Sequence, residues 1–242
     1  MTEPWILGFD TATRATAVAL AGPAEMVLQV RDDPPRGDRP RHASRLLPLC
    51  VELLELAGVG FGDLDRVAVG TGPGTFTGLR IGVATARALA HAGAIPLVGV
   101  STLQSLALGA LSDPSSDGVD AVAAVLDARR GEAFAAVWRV DDLARLEDPL
   151  IAPGAFTPDS LAFRLAGLGV PVLALGEGAI EFRAVLERSG AVVPDDETPL
   201  HRVDAKGHCW IARHRPGADP DQIRPEYLRL PDAEIARRAK GK

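Results

Sequence analysis

Residues 66–82 read RVAVGTGPGTFTGLRIG: a short apolar run passes straight into four glycines, one proline and three threonines within residues 70–78, and a small-residue apolar stretch follows. A chain places that much glycine where its backbone must turn sharply or come very close to something else. The pattern predicts a strand over 66–70, a tight loop, and a helix over about 79–92. The same order returns at once as a strand over 96–100 and a helix in STLQSLALGAL. Strands alternating with helices predict parallel pairing, so the fold class is α/β.

Two known phosphate-binding fingerprints fail on this loop. A Walker A loop needs a lysine after its last glycine, and here Gly78 is followed by Leu79 and Arg80. A dinucleotide fingerprint needs a third glycine where Thr77 stands and an acidic residue further on, and no acidic residue follows before Asp113. What remains is a helix N-terminus with Gly72, Gly74, Gly78 and the hydroxyls of Thr75 and Thr77, which either holds an anion or is a tight hydroxyl-capped turn. A second candidate is FDTATRATAVAL (9–20), where Asp10 ends a strand and Thr11, Thr13 and Thr16 line the turn that follows. An acid with hydroxyls there can hold a metal-bridged phosphate, as in actin-like kinases; a polar hairpin turn is the plainer alternative.

The opening runs WILGFD, TAVALA and MVLQV predict an antiparallel meander, and RDDPPRGDRPR (31–41) an exposed loop. Residues 42–58 carry Leu46, Cys50, Leu53, Leu54 and Ala57 at helical spacing, with Leu47, Leu49 and Leu56 on other sides. That apolar surface exceeds one core-facing stripe, so the helix is either buried between layers or meets another protein. A second unit begins after SDPSSDG (112–118): a hairpin (AVAAVLDA, EAFAAVWRV), a capped helix (TPDSLAFRLAG), a strand (VPVLALG) and a further helix (AIEFRAVLERSG). The expected division is a first lobe over 1–103 to which 216–231 returns, a second over 104–215 with a last helix near 205–214, and a loose tail over 232–242.

Several function classes lose support. A formal charge of -6 argues against a protein that binds nucleic acid unaided. The two cysteines, Cys50 and Cys209, make no disulfide framework, and the five histidines (His42, His91, His201, His208, His214) show no metal-binding spacing. No Gly-x-Ser-x-Gly elbow occurs. Arg129 and Arg130 sit between two strands, either solvated or gripping an acidic partner. Residues 88–112 carry no Asp, Glu, Lys or Arg, but Gly93, Pro96 and Gly99 interrupt them, so no membrane span is expected. MTEPWILGFD is not a signal peptide, and the expected location is cytoplasmic.

The ordered set FDTATRATAVAL, HASRLLPL, GPGTFTGLRIGVATARALA, PLVGVSTLQSLA, DARRGEAFAAVW and PEYLR resembles the TsaB family of bacterial tRNA threonylcarbamoyladenosine biosynthesis proteins. The resemblance implies two actin-like (ASKHA, RNase H-like) lobes of mixed sheets flanked by helices. It implies a non-catalytic scaffold for threonylcarbamoylation of adenosine 37 in tRNAs reading codons that begin with A. Such a subunit heterodimerises with the transferase TsaD, recruits the ATPase TsaE and meets tRNA only through the complex; alone, it has a route to a homodimer.

By the same resemblance the helices of 42–58 and 79–92 form the partner bundle, with Leu46, Leu49, Cys50 and Leu53 from the first and Leu79, Val83, Ala86 and Ala90 from the second. No metal and no cofactor are expected, since Leu46 stands four residues after His42 where TsaD needs a second ligand. The loops at Asp10, Thr11, Thr13, Gly72, Gly74, Thr75, Thr77 and Gly78 then form a vestigial nucleotide site with room for weak binding. Two other classes stay open: an actin-fold ATP-dependent phosphotransferase, which predicts dependence on Asp10, and an M22-type peptidase.

Overall fold

A computed structural model describes residues 3–35 and 37–229. The opening meander forms as β1 (Ile6–Asp10), β2 (Thr16–Ala21) and β3 (Val27–Asp32), followed by α1 (His42–Ala57). Next come β4 (Arg66–Gly72), α2 (Phe76–Gly93), β5 (Leu97–Ser101) and α3 (Thr102–Leu108). The second unit holds β6 (Ala121–Arg129), β7 (Glu132–Arg139), α4 (Val140–Ala144), β8 (Ile151–Phe156), α5 (Pro158–Ala166), β9 (Val172–Leu175), α6 (Glu177–Glu181) and α7 (Arg183–Arg188). The last helix is α8 (Lys206–His214).

The first sheet runs β3-β2-β1-β4-β5 and the second β8-β7-β6-β9, so the order of the first four strands is repeated. Within each, three strands pair antiparallel and the next joins in parallel, β4 on β1 and β9 on β6. This is an α/β fold of two lobes, each a mixed sheet flanked by helices.

Alternation along β1 decides what lies on each side of the first sheet. Leu7 and Phe9 face α1 and α2, in one core with Leu46, Leu49, Cys50, Leu53, Val83 and Ala86. Ile6 faces the other way, into a core with Leu103 of α3 and Cys209 and Ile211 of α8 that continues through Val122 and Trp138 into the second lobe. Gly8 sits on that side too, where a Cβ would meet the Cys209 sulfur at 2.7 Å. Asp10, two residues further on, therefore looks toward α8.

Four features differ from the sequence reading, the first being that the helix expected over AIEFRAVLERSG is broken at Phe182 into α6 and α7. Helix α2 starts at Phe76, inside the glycine run. Strand β8 and the short α4 were not foreseen. Helix α8 packs on β1, β2 and β4, so the chain returns to the first lobe before residue 216. The expected tail, 232–242, and the last two residues of the returning stretch lie outside the described residues.

Candidate functional site

The glycine loop closes onto the chain itself. The Thr75 N–H donates to the Ala12 carbonyl at 2.7 Å, and the Thr11 hydroxyl donates to the Gly78 carbonyl at 2.8 Å. A Cβ on Gly74 would overlap Ala12, and one on Gly78 would overlap the Thr11 carbonyl oxygen. The glycines thus let the first turn of α2 lie directly against the β1–β2 turn. Gly72, at φ +123, precedes a cis proline, Pro73.

Beside this junction lies a cleft of about 250 Å³, lined by Thr13, Arg14, Gly74, Thr75 and Phe76 from the first lobe and Asp127, Arg129, Phe134 and Glu177 from the second. Tyr227 and Arg229 complete the wall. Its cations already have partners. Arg14 donates to the Pro35 and Asp38 carbonyls at 2.7 and 3.0 Å, Arg129 pairs with Asp127 at 3.2 Å, and Arg229 with Glu132 at 2.9 Å. Burial, then the neighbouring Asp127 charge, pushes the Glu177 carboxyl up. A phosphate entering here would meet two arginines already paired with carboxylates, a third held by neutral carbonyls, and the carboxyl groups of Asp127 and Glu177.

The expected phosphate loop is therefore split. Thr13, Gly74 and Thr75 reach the cleft; Asp10, Thr11, Gly72 and Gly78 are buried elsewhere, and Thr77 is exposed on α2. Asp10 is a correction. Its carboxylate accepts from the Ala12 N–H at 2.6 Å, the Thr102 hydroxyl at 2.8 Å and His208 Nε2 at 2.9 Å, and it is 2% exposed. Gly70 makes the room, since any Cβ there would overlap this carboxylate. Burial raises the Asp10 pKa, but the hydrogen bond and charge of His208, the Ala12 N–H and the Thr102 hydroxyl together outweigh it and hold the carboxyl below its ordinary value.

The structure also assembles a buried Ser105–His208–Asp10 chain, with Ser105 Oγ 2.8 Å from His208 Nδ1. Sequence reasoning missed it because Asp10 and His208 lie 198 positions apart. The Ser105 hydroxyl has the Asp204 carbonyl at 3.2 Å as an acceptor, and that carbonyl also lies 3.3 Å from Nδ1. The three side chains, Ser105, His208 and Asp10, are buried, at 3%, 0% and 2% exposure, so the constellation ties α3 and α8 to the end of β1.

His42 accepts or donates one hydrogen bond, with the Thr16 hydroxyl at 2.9 Å, while its Nε2 is buried without a hydrogen-bond partner. Burial lowers its pKa. Four residues on stands Leu46, in the core. Among the described residues no group of three or more His, Cys, Asp or Glu is arranged to hold a metal ion.

The expected partner surface needs correction as well. Leu46, Leu49, Cys50, Leu53, Leu79, Val83, Ala86 and Ala90 are each no more than 3% exposed within the single chain. They face the first sheet because helical spacing turns that side inward. The outward side of α1 instead shows Leu47, Val51 and Leu56 at 48%, 39% and 69% exposure, and that of neighbouring α2 shows Arg80, Ala84 and Ala88.

Comparison with known proteins agrees with this architecture. The family model of TsaD, tRNA N6-adenosine threonylcarbamoyltransferase, matches residues 34–158. The tRNA threonylcarbamoyladenosine biosynthesis protein TsaB of Escherichia coli is 32% identical over 81% of this chain and 80% of its own length. TsaB of Bacillus subtilis is 27% identical over 95% of this chain and 96% of its own. The solved structure of YeaZ from Pseudomonas aeruginosa superposes with a TM-score of 0.75 at 30% identity, over 93% of this chain and all of that one. Two repeated mixed sheets, the glycine loop closed on the β1–β2 turn, and these relatives together place the chain in the TsaB family of tRNA threonylcarbamoyladenosine biosynthesis proteins.

Proposed function

We propose that this chain is the non-catalytic scaffold subunit of the tRNA threonylcarbamoylation machinery: it heterodimerises with TsaD, the pair recruits the ATPase TsaE, and tRNA is met through the complex. The observation that carries the reading is that α1 and α2 pack together and expose Leu47 and Val51 on the first and Ala84 and Ala88 on the second. Leu47 and Val51 are one helical turn apart, and the alanines leave a shallow surface against which another helix can pack. The same surface offers a route to a homodimer when the partner is absent.

The cleft supports the non-catalytic part. Asp10, the group a phosphotransferase would aim at a metal-bound phosphate, is spent on His208 and Thr102, and two of the cleft arginines, Arg129 and Arg229, are paired with carboxylates of the chain. The chain then needs no cofactor of its own, and any nucleotide binds weakly and without magnesium dependence.

Titration of TsaD with the wild-type chain and with Leu47→Asp/Val51→Asp tests the heterodimer. The wild type forms a stable one-to-one pair, and the folded double variant loses at least about tenfold in affinity, the effect of removing a central apolar contact. Unchanged affinity overturns the assignment of this face.

A further inference from the structure

The PEYLR motif at residues 225–229 has no role of its own in the proposed heterodimer, yet the structure gives almost every residue of it a partner. After α8 the chain runs back along the first lobe. Ala218 exchanges backbone hydrogen bonds with Leu97 at 2.9 and 3.3 Å, and Asp221 pairs with Arg87 and His91 of α2. The Glu226 N–H then donates to the Thr71 carbonyl at 2.7 Å. Gly72 leaves the space for this crossing, since a Cβ there would lie 2.8 Å from the Glu226 carbonyl oxygen.

Tyr227 docks on the start of α2. Its ring centroid is 5.2 Å from that of Phe76, its hydroxyl accepts from Arg80 Nε at 3.2 Å, and the Arg80 guanidinium lies 3.7 Å over the Phe76 ring. Two residues later Arg229 has crossed the cleft mouth and pairs with Glu132, the first residue of β7 in the other lobe, at 2.9 Å. Tyr227 and Arg229 are also cleft wall.

We propose that residues 225–229 are a latch across the cleft, with Tyr227 fixed to the first lobe and the Arg229–Glu132 pair holding the second lobe closed against it. The two ends are built unequally. The first-lobe end combines a backbone hydrogen bond, an aromatic contact and a cation over a ring, whereas the second-lobe pair has side chains 23% and 36% exposed, and ion pairs that open to water are weak. The latch therefore releases at Glu132 and stays on α2. Because Arg80, Arg87 and His91 also belong to the outer side of α2, partner docking and cleft opening meet at this strap; that corollary rests on the proposed heterodimer, and the latch itself does not.

Spin labels at Thr77→Cys on α2 and Ala155→Cys on β8, both exposed, read the separation of the lobes in the isolated chain diluted with unlabelled protein. Arg229→Glu and Glu132→Arg each broaden the distance distribution and move it to longer values, and Arg229→Glu/Glu132→Arg returns it to that of the wild type. Hydrogen exchange at the Glu226 amide, which the first lobe holds through the Thr71 carbonyl, stays at the wild-type rate in all three variants, and faster exchange there would overturn the one-ended release. Circular dichroism confirms that all three fold. An unchanged distribution in a folded Arg229→Glu chain overturns the latch, leaving the strap as a cover of the first lobe; failure of the double variant to restore closure overturns it equally. Since TsaD is absent from these measurements, their failure is distinct from failure of the heterodimer, which the titration reads.

Discussion

At the residue scale, Asp10 carries the sharpest consequence. It ends β1 as the sequence suggests, and its carboxylate is consumed by the chain's own His208, Thr102 and Ala12. Replacing one member of this buried hydrogen-bonded pair leaves the other unsatisfied, so His208→Gln or Asp10→Asn should cost about 1–3 kcal/mol of stability, read by denaturant unfolding. The pH dependence has a definite sign. A carboxyl held below its ordinary value of 3.8 stabilises the fold fully above that pH and loses its contribution as the pH falls through the lower, folded value. Unfolding free energy measured between neutral and acid pH should fall below that point in the wild type, with the Asp10 share of the fall missing from Asp10→Asn. Gly78→Ala makes a separate prediction: its methyl overlaps the Thr11 carbonyl, and thermal unfolding should show a loss of about 1–3 kcal/mol, typical of overpacking. None of this was legible locally, because the partners of Asp10 come from α3 and α8 and only the folded chain brings them together.

At the element scale, α1 shows what the sequence held and what it concealed. The helix itself was plain, and Leu46, Leu49, Cys50, Leu53 and Leu54 follow i, i+3, i+4, i+7, i+8, which is a core face. That spacing also separates Leu47 and Val51 from the core face. The interface residues taken from the resemblance fell on the inward side, although Leu47 and Leu56 already stand apart from the core spacing in the sequence. The two sides should behave oppositely: Leu49→Asp buries an unpaired charge and should abolish folding, while Leu47→Asp should stay within about 0.5 kcal/mol of the wild type in denaturant unfolding yet lose partner binding. Strand β8 was missed for a different reason. Its sequence, IAPGAF, contains proline and glycine, which a central strand excludes and an edge strand tolerates, and β8 is the edge of the second sheet. The start of α2 was misplaced because glycines that serve packing look like a loop when neighbours are unknown.

At the scale of the whole molecule, the alternation of strands and helices was enough to foresee two α/β units, and the repeated strand order of the two sheets shows their kinship directly. The route of the returning chain was harder to read, since α8 crosses to the first sheet through small side chains and a histidine with little local signature. The account makes this molecule a support whose cleft is closed by its own side chains and whose working surface is the outer side of α1 and α2. The most direct test is threonylcarbamoylation of substrate tRNA in a reconstituted mixture of TsaC, TsaD and TsaE, run without the chain, with it, with Leu47→Asp/Val51→Asp, and with a cleft-wall variant, Thr13→Ala. The account predicts modification only when the chain is present, loss of that modification with the helix variant, and full activity with Thr13→Ala. Modification that proceeds equally well without the chain, or that survives the helix variant and fails with the cleft variant, would contradict it.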